Sequence, residues 1–463
     1  MAGKPEKDCD LIMKGGVTSG VVFPKAIALI GAAHRLHGIG GTSAGAIAAV
    51  IAAAAEYRRQ ERGGTDFSGF KAVYRAARDL AGQMPYLFQP SPQFRRLYRF
   101  LNGMTGPARG GGVGRLLRGV VAGYGWSALI GALVAAVAFA LLDLGRGGSS
   151  VWSFLQASGW AAAGAGIGVT VMLVWDVMFQ LPKADYGICI RQPGEEDAFG
   201  EWVHGTIQRV AGRGESDPPL TAGELEPHDI RVSAMTTDIT SGRPYELPLR
   251  SAEHYFDPDE FRRVMPEAVV AHLVRTSAGP EARHDGQRLL AMPAAADQPV
   301  FLVARMSLSF PGLIRSVPLY RREGTGFVRC LFTDGGLTSN FPVHFFDSIL
   351  PRRPTFGIAL GDIAASVSDD PAARVRVWRK GDGEQPYPLH LTPKIGGFLW
   401  ALLATAKDWQ DTLQSRLPGH RERMVTIMLK PEEGGLNLNM APDLVRRIAA
   451  YGAAAGKAMA EFD

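Results

Sequence analysis

Residues 36–59 read LHGIGGTSAGAIAAVIAAAAEYRR: a short apolar strand pattern, a glycine-rich turn and an alanine-rich helix pattern. Within the turn, residues 41–45 (GTSAG) match Gly-x-Ser-x-Gly. A sharp strand-to-helix turn of this kind holds its serine in strained geometry at a helix N-terminus, and the flanking glycines remove side-chain clashes. In a chain with 56 glycines the pattern alone is weak, and a tight turn with a serine helix cap explains it equally well. Ser43 is therefore a candidate nucleophile.

Strand and helix patterns alternate around this turn and predict an α/β fold with a mostly parallel central sheet and helices on both faces. The predicted strands lie at 10–13, 36–40, 186–190, 230–236, 300–306, 328–333, 356–360 and 424–429. The predicted helices lie at 21–35, 44–59, 258–275, 340–350, 396–416 and 441–461.

Two long segments without charge interrupt the α/β pattern, at 120–142 and 151–175. As a helix each is over about 30 Å long, enough to cross the hydrocarbon core of a bilayer. The link at 143–150 is short and polar, which favours an antiparallel hairpin. Small residues four apart, at 119/123 and 164/168, would let two helix backbones approach closely. The alternative is a buried hairpin in a soluble protein, but two adjacent segments of this length favour membrane spans.

The charges beside these segments predict their orientation. The stretch from 89 to 119 has no acidic residue, and it carries arginines at 95, 96, 99, 109, 115 and 118. By the positive-inside rule both flanks are cytoplasmic. We expect an integral membrane protein of a bacterial inner membrane, with two transmembrane helices and the catalytic domain in the cytoplasm. The arginines either hold an amphipathic helix on an anionic lipid surface or only set the topology.

These features divide the chain into four parts. Residues 1–88 form the first part of the α/β domain, and 89–119 form a basic amphipathic juxtamembrane segment. Residues 120–175 form the transmembrane hairpin, and 176–463 form the rest of the α/β domain with the C-terminal helices.

Composition excludes several classes of protein. The net charge of +5 over 463 residues is modest, and no nucleic-acid-binding motif is present, so we expect no nucleic-acid partner. Three widely spaced cysteines exclude a disulfide scaffold and a CxxC site. The charged N-terminus lacks the apolar core of a secretory signal.

A serine nucleophile needs a base, and none of the ten histidines stands in a persuasive pattern. His34 and His37 precede the serine turn without a carboxylate companion. Asp334 is the better candidate, because it follows the apolar run 328–332 and precedes two glycines that allow close approach of backbone and substrate. The alternative is an aspartate that only forms a turn or caps a helix.

Together these segments resemble the patatin-like phospholipase family, with the transmembrane hairpin as an insertion. The resemblance covers about 1–60 and 185–361. It rests on residues 14–20 (KGGVTSG), 41–45 (GTSAG), 334–336 (DGG), 340–342 (NFP) and two softer stretches, 237–242 (TDITSG) and 304–311 (ARMSLSFP). It implies a patatin-like three-layer fold around the central sheet.

The resemblance also implies a serine–aspartate dyad without histidine, in which Ser43 attacks an ester carbonyl and Asp334 takes its proton. A free aspartate, with a pKa of about 3.9, is a poor base, and a dehydrated lipid cleft would raise that pKa. The family needs no metal and no cofactor for this dyad. The motif glycines are Gly41, Gly45, Gly335 and Gly336.

In the family, backbone amides of a glycine turn form the oxyanion hole, here at Gly15, Gly16 and Val17. This sequence departs from the usual turn, because Val17 replaces a third glycine and Ser19 stands where a basic residue is expected. A valine tolerates positive φ poorly, so the departure places the geometry of the turn in doubt.

The sequence therefore predicts a membrane-anchored lipid acyl hydrolase of the phospholipase A type. Its expected partners are a membrane lipid substrate and the bilayer; protein partners stay unknown at this point. Two alternatives stay open: a lipid acyltransferase using the same dyad, and a catalytically silent membrane scaffold.

Overall fold

A computed structural model describes residues 5–16, 18–105, 111–143, 151–189, 199–346, 351–364, 366–379, 405, 421–430, 433–434 and 440–461. The chain forms two compact units. The first comprises Met1–Gln89, Arg191–Pro311 and Ser316–Asp463, and the second comprises Pro90–Ile190 and Gly312–Arg315.

The first unit is a mixed α/β domain. Its strands are β1 (Lys7–Met13), β2 (His34–Gly41), β4 (Arg231–Asp238), β5 (Arg243–Leu247), β6 (His254–Phe256), β7 (Ala282–His284), β8 (Gln287–Ala291), β10 (Val317–Glu323), β11 (Gly326–Asp334), β12 (Thr355–Asp362), β13 (Val375–Val377) and β14 (Met424–Leu429). Its helices are α1 (Phe23–Ala33), α2 (Ala44–Glu61), α3 (Ser68–Leu87), α8 (Phe199–Ala211), α9 (Ala222–Leu225), α10 (Pro258–Arg262), α11 (Glu267–Thr276), α12 (Val300–Ser307) and α13 (Pro442–Ala460).

These strands form one large sheet in the order β13-β14-β12-β1-β2-β4-β11-β10-β6-β8-β7, with β5 beside β4. The five strands β14, β12, β1, β2 and β4 are parallel. Beyond them, on both sides, the described pairs are antiparallel. The predicted α/β class with a parallel central sheet is confirmed, and the antiparallel extensions add to it.

The centre of this sheet consists of buried apolar strands covered by an alanine-rich helix. The last five residues of β1 are buried, as parallel strands covered on both faces require. Helix α2 packs across β1, β2 and β4, and its small side chains let it lie close to the sheet. The carboxyl ends of β1, β2 and β4 consequently meet at one edge, where open parallel sheets bind their ligands.

Three predicted elements need correction, and a fourth lies almost wholly outside the described residues. Residues 300–306 are helix α12, not a strand; all eight residues of the helix are buried, so no periodicity distinguished helix from strand. The helix predicted at 258–275 is interrupted, because Pro266 takes a non-helical conformation before α11. In 340–350 the described part is a 3-10 turn, Val343–Phe346, and the helix predicted at 396–416 lies outside the described residues apart from 405.

The second unit is built on a helical hairpin. Its elements are α4 (Arg95–Thr105), α5 (Gly111–Asp143), α6 (Val151–Trp175), a π-helical turn (Asp176–Gln180), α7 (Leu181–Lys183), β3 (Gly187–Cys189) and β9 (Gly312–Ile314). Strands β3 and β9 pair in parallel. Among the described residues, two helices are long and apolar enough to cross a membrane, Val113–Asp143 and Val151–Lys183. Only 6% and 11% of their most apolar windows are buried, whereas a helix in a soluble core is mostly buried.

Glycines set the helix contacts of this unit. A Cβ on Gly131 would strike the carbonyl oxygen of Gly164, and a Cβ on Gly168 would strike that of Ser127, so α5 and α6 pack backbone to backbone. The glycines predicted at 119 and 123 pack differently. A Cβ on Gly119 would lie 2.8 Å from the Phe100 carbonyl oxygen, so this face of α5 receives α4.

Three buried histidines make the stability of the first unit depend on pH. Burial lowers the pKa of His34, His204 and His254. Both ring nitrogens of His254 are buried without a hydrogen-bond partner among the described residues. The unfolded chain therefore binds more protons than the folded chain as pH falls below about 6.5, and folding stability is lost in that direction.

We expect the melting temperature to fall between about pH 7.5 and about pH 5.5, measured by thermal unfolding. His254→Phe should reduce this slope, because phenylalanine keeps the ring contacts and removes the proton-binding site. The control is His284→Phe in the β7–β8 hairpin, which should keep the wild-type slope. Equal slopes for His254→Phe and the wild type would contradict the prediction.

Candidate active site

The backbone of Ser43 is strained. Its φ is 56° and its ψ is −125°, in a region that non-glycine residues rarely adopt. Strand β2 ends at Gly41 and α2 begins at Ala44, so the serine occupies the turn between a strand and a helix. This is the nucleophile-elbow arrangement, which lifts a side chain out of the sheet at a helix N-terminus.

The glycines on either side of Ser43 are required by close backbone contacts. A Cβ on Gly41 would lie 2.6 Å from the carbonyl oxygen of Gly45 and 2.8 Å from that of Met13. A Cβ on Gly45 would strike the same Met13 carbonyl. Since these obstacles are backbone atoms, a side chain at either position displaces the end of β1 or opens the turn.

Hydrogen bonds fix both the backbone and the hydroxyl of Ser43. Its N–H donates to the Ser307 hydroxyl oxygen over 3.0 Å. Its hydroxyl donates to the Gly16 carbonyl oxygen over 3.3 Å. The preceding Thr42 hydroxyl donates to the Ser339 carbonyl oxygen over 3.0 Å. The turn is thus held against three other segments of the first unit.

Asp334 is the last residue of β11 and is buried. One carboxylate oxygen accepts the Gly336 N–H over 2.7 Å, and the Asp334 N–H donates to the Ser309 carbonyl oxygen over 3.0 Å. A Cβ on Gly335 would strike the Met235 carbonyl oxygen, so only glycine allows this tight turn against β4. The aspartate therefore caps the 3-10 turn Gly335–Leu337.

The register of β4 relates the two candidates. Gly41 of β2 pairs with Ala234, and Asp334 of β11 pairs with Thr236 on the opposite side of the same strand. Asp334 therefore lies about 6.6 Å further along β4 than Gly41, on the other side of that strand.

A second link between the candidates runs through the end of α12. Ser307 accepts the Ser43 N–H, and Ser309 accepts the Asp334 N–H and the Thr333 hydroxyl. Two residues of chain span at most about 7 Å. The buried Arg305 donates to the Ser309 hydroxyl oxygen over 2.7 Å and holds this segment in place.

The glycine turn after β1 also lies against the elbow. The Gly15 N–H donates to the Asn340 carbonyl oxygen over 2.7 Å, so that amide is occupied in this structure. The Gly16 carbonyl oxygen accepts the Ala44 N–H over 3.1 Å in addition to the Ser43 hydroxyl. Val17 lies outside the described residues. The oxyanion hole at these three positions stays a prediction.

The two histidines nearest to Ser43 in sequence lie at the far end of β2. His34 begins the strand, and Gly41 ends it about 23 Å away by strand rise. The His37 Nδ1 lies 3.0 Å from the Asp229 carbonyl oxygen and 2.8 Å from an oxygen of its carboxylate. Both histidines therefore lie at the opposite edge of the sheet from Ser43, where His37 contacts Asp229.

The two candidates are buried, and two apolar side chains close to Asp334 or to β4 in the chain are exposed. Ser43 is 3% exposed and Asp334 is 4% exposed. Ile239, which follows β4, and Leu337, three residues after Asp334, are 46% and 42% exposed. Large apolar residues exposed beside buried polar groups are typical of a surface that receives an apolar ligand.

Sequence reasoning missed the supporting residues. Ser307 and Ser309 fall in the stretch 304–311, whose sequence indicates only the family resemblance, and a strand at 300–306 does not predict where either serine lies. Asn340 packs against Gly15, where a Cβ would strike its side-chain oxygen. The two serines two residues apart after a buried apolar run were the available signal.

Comparison with known proteins gives the family. No family model matches the chain. The chain is 34% identical over an alignment of 543 residues to the RpoH suppressor of Rhizobium meliloti (strain 1021), which covers 100% of this chain and 84% of that protein. It belongs to the same family as that suppressor.

Among solved structures, VipD from Legionella pneumophila matches 99% of this chain and 67% of its own. The sequence identity is 14% and the TM-score is 0.36. A similarity of this size supports no conclusion about function.

We expect Ser307→Ala to lower the free energy of unfolding by about 1–3 kcal/mol, because the buried Ser43 N–H loses its acceptor in a strained turn. Urea unfolding measures the change. Ser233→Ala is the matched control: it also removes a buried serine hydroxyl, but that hydroxyl only donates to the half-exposed Glu246 carboxylate over 2.9 Å. A Ser307→Ala change no larger than the control would show that the Ser307 contact contributes little.

Proposed function

We propose that this protein is a patatin-like lipid acyl hydrolase anchored in a membrane by its helical hairpin. The observation that carries the proposal is the strained backbone of Ser43 in a strand-to-helix turn. Asp334 supports it, because the strand that ends at Asp334 and the strand that precedes Ser43 both pair with β4. Positive φ at a non-glycine residue persists only where the surroundings impose it, and such residues cluster at active sites. The order of the GTSAG and DGG segments adds the resemblance to the patatin-like family.

In the proposed reaction the Ser43 hydroxyl attacks the carbonyl carbon of a lipid ester while Asp334 accepts its proton. The tetrahedral intermediate collapses to an acyl-enzyme, and the proton passes from Asp334 to the leaving alcohol. Water then attacks the acyl-enzyme while Asp334 accepts its proton, and that proton passes to the Ser43 oxygen as the fatty acid leaves. Backbone amides of the glycine turn are the proposed stabilisers of the oxyanion.

The substrate class follows from the surroundings of the site. Ile239 and Leu337 offer apolar contact beside it, and the hairpin would keep the enzyme at a membrane surface. An ester carried by a glycerophospholipid meets both conditions, since its acyl chain is apolar and its headgroup remains at the interface. The phospholipase A type of hydrolysis is the corresponding reaction.

One contact favours the alternative of a catalytically silent scaffold. The Gly16 carbonyl oxygen accepts the Ser43 hydroxyl and the Ala44 N–H. A carbonyl oxygen there repels a developing oxyanion, so catalysis requires this peptide to turn and present an N–H. Labelling of the serine distinguishes the two functions, because a silent site does not react.

Ser43→Ala should abolish both labelling by a fluorophosphonate and release of fatty acid from phospholipid vesicles, since the acyl-enzyme cannot form. Asp334→Asn should lower hydrolysis at least about 100-fold, because asparagine keeps the size of the side chain but cannot accept the proton. Full-length protein in detergent is used, and free fatty acid is measured.

Two exposed positions supply matched controls, Ser366→Ala and Asp285→Asn, and both should retain wild-type activity. A wild-type protein that neither labels nor hydrolyses any ester would favour the silent scaffold. Hydrolysis that survives Ser43→Ala would place the nucleophile elsewhere.

The hairpin should make the full-length protein an integral membrane protein with the loop at 143–150 outside. Ser149→Cys should then react with a membrane-impermeant maleimide in intact cells, whereas Ser366→Cys should react only after permeabilisation. Recovery of full-length protein without detergent would contradict insertion. Labelling of both cysteines in intact cells would contradict the orientation.

A further inference from the structure

The second unit contains a groove of about 640 Å³ beside the hairpin. Its volume is in the range of ligand sites. Apolar side chains of α5 and α6 line most of it, including the exposed Trp126, Ile130 and Val134. Two arginines of α4, Arg96 and Arg99, also line it. We call this cleft the hairpin groove.

The arginines stand at one end of the hairpin groove. Helix α4 packs on the first part of α5, where a Cβ on Gly123 would meet the Arg96 carbonyl oxygen. The lining then continues along α5 to Ala138. Fifteen residues of helix rise about 22 Å, so the groove is basic at one end and apolar along the rest of its length.

Both apolar helices change geometry at this basic end. Tyr124 has non-helical angles inside α5, and the π-helical turn begins at Asp176 directly after α6. The Asp176 carboxylate is fully buried and accepts from Arg96 and from the Tyr124 hydroxyl, each over 2.9 Å. The cluster of Arg96, Tyr124 and Asp176 therefore joins α4, α5 and the end of α6 at one position along the hairpin.

The position of this cluster along the hairpin is consistent with a membrane interface. Residues 125–143 span about 28 Å as a helix, close to the thickness of a bilayer hydrocarbon core of about 30 Å. If they occupy the core, Arg96 and Arg99 lie at the depth of lipid phosphates. This step rests on the membrane insertion included in the proposed function.

The charges at the basic end complement one anionic headgroup. Asp176 balances Arg96, which leaves the charge of Arg99 for a ligand. A guanidinium has five N–H donors, so Arg96 can bind Asp176 and still donate to a phosphate. The Asp176 contact also fixes the Arg96 side chain, and preorganisation of this kind lowers the entropic cost of binding. Basic pockets between membrane helices on the cytoplasmic side bind anionic headgroups.

We propose that the hairpin groove binds one anionic phospholipid, with its phosphate on Arg96 and Arg99 and an acyl chain along Trp126, Ile130 and Val134. No covalent step is involved. The bound lipid fills the space between α4 and the hairpin and would contribute to the stability of the second unit.

The test uses full-length Ser43→Ala protein, so that hydrolysis cannot consume the lipid. Native mass spectrometry of the detergent-solubilised protein counts bound phosphatidylglycerol and phosphatidylcholine over a titration. We expect one phosphatidylglycerol to bind with at least about tenfold higher affinity than phosphatidylcholine. Arg99→Gln should weaken phosphatidylglycerol binding about tenfold, the effect of losing one charge-assisted contact.

Arg95→Gln is the matched control, because it makes the same change of charge on α4 outside the lining of the groove. It should bind phosphatidylglycerol as the parent protein does. Val134→Trp, which fills the apolar part, should weaken binding without changing the charge. Inorganic phosphate should not displace the lipid.

Equal affinity for the two lipids, or equal losses in the two arginine variants, would overturn the proposal. Displacement by inorganic phosphate would also overturn it, since the occupant would then be an anion alone. These outcomes are separate from hydrolysis, because binding is measured without the nucleophile. They are also separate from insertion, which the cysteine labelling tests.

Discussion

The close approach of the end of β1 to the turn after β2 is the constraint on which the site depends. The Met13 carbonyl oxygen lies where a side chain at Gly41 or Gly45 would be. Between these glycines Ser43 is held at positive φ, a strain that costs about 1–3 kcal/mol. The parallel pairing of β2 with β1 and β4, and the start of α2 at the next residue, prevent the turn from relaxing.

A second constraint comes from the end of α12. Ser307 and Ser309 bond the backbones of Ser43 and Asp334, and all of these residues are buried. Residues 307–309 therefore link the backbone of the elbow to the backbone at the end of β11.

The sequence allowed prediction of those parts whose signal is local. The elbow follows from a strand pattern, Gly-x-Ser-x-Gly and an alanine-rich helix pattern. The hairpin is predicted by two long adjacent segments that contain no charged residue. Asp334 was placed at a strand end because an apolar run precedes it and glycines follow it.

The rest depended on contacts distant in sequence. Helix α12 is buried on every side, so its sequence shows no helical period and predicts a strand. Ser307 matters only because it meets Ser43, 264 residues earlier in the chain. The glycine at 123 was expected to face the other hairpin helix, but α4 occupies that side of α5. The spacing of small residues on a helix predicts a close contact with another helix, but it does not identify that helix.

Most of the second unit lies in the connection between β2 and β4, a place where an insertion does not disturb the first unit. Strands β2 and β4 are parallel neighbours, so their connection must cross the sheet with a dozen or more residues in any case. Added length in such a crossover costs little, because loop closure depends only weakly on length. The antiparallel pair β10 and β11 has a two-residue turn at 324–325, where an insertion would disturb the register of Asp334. The hairpin therefore occupies a connection that leaves both the elbow and the Asp334 turn unchanged.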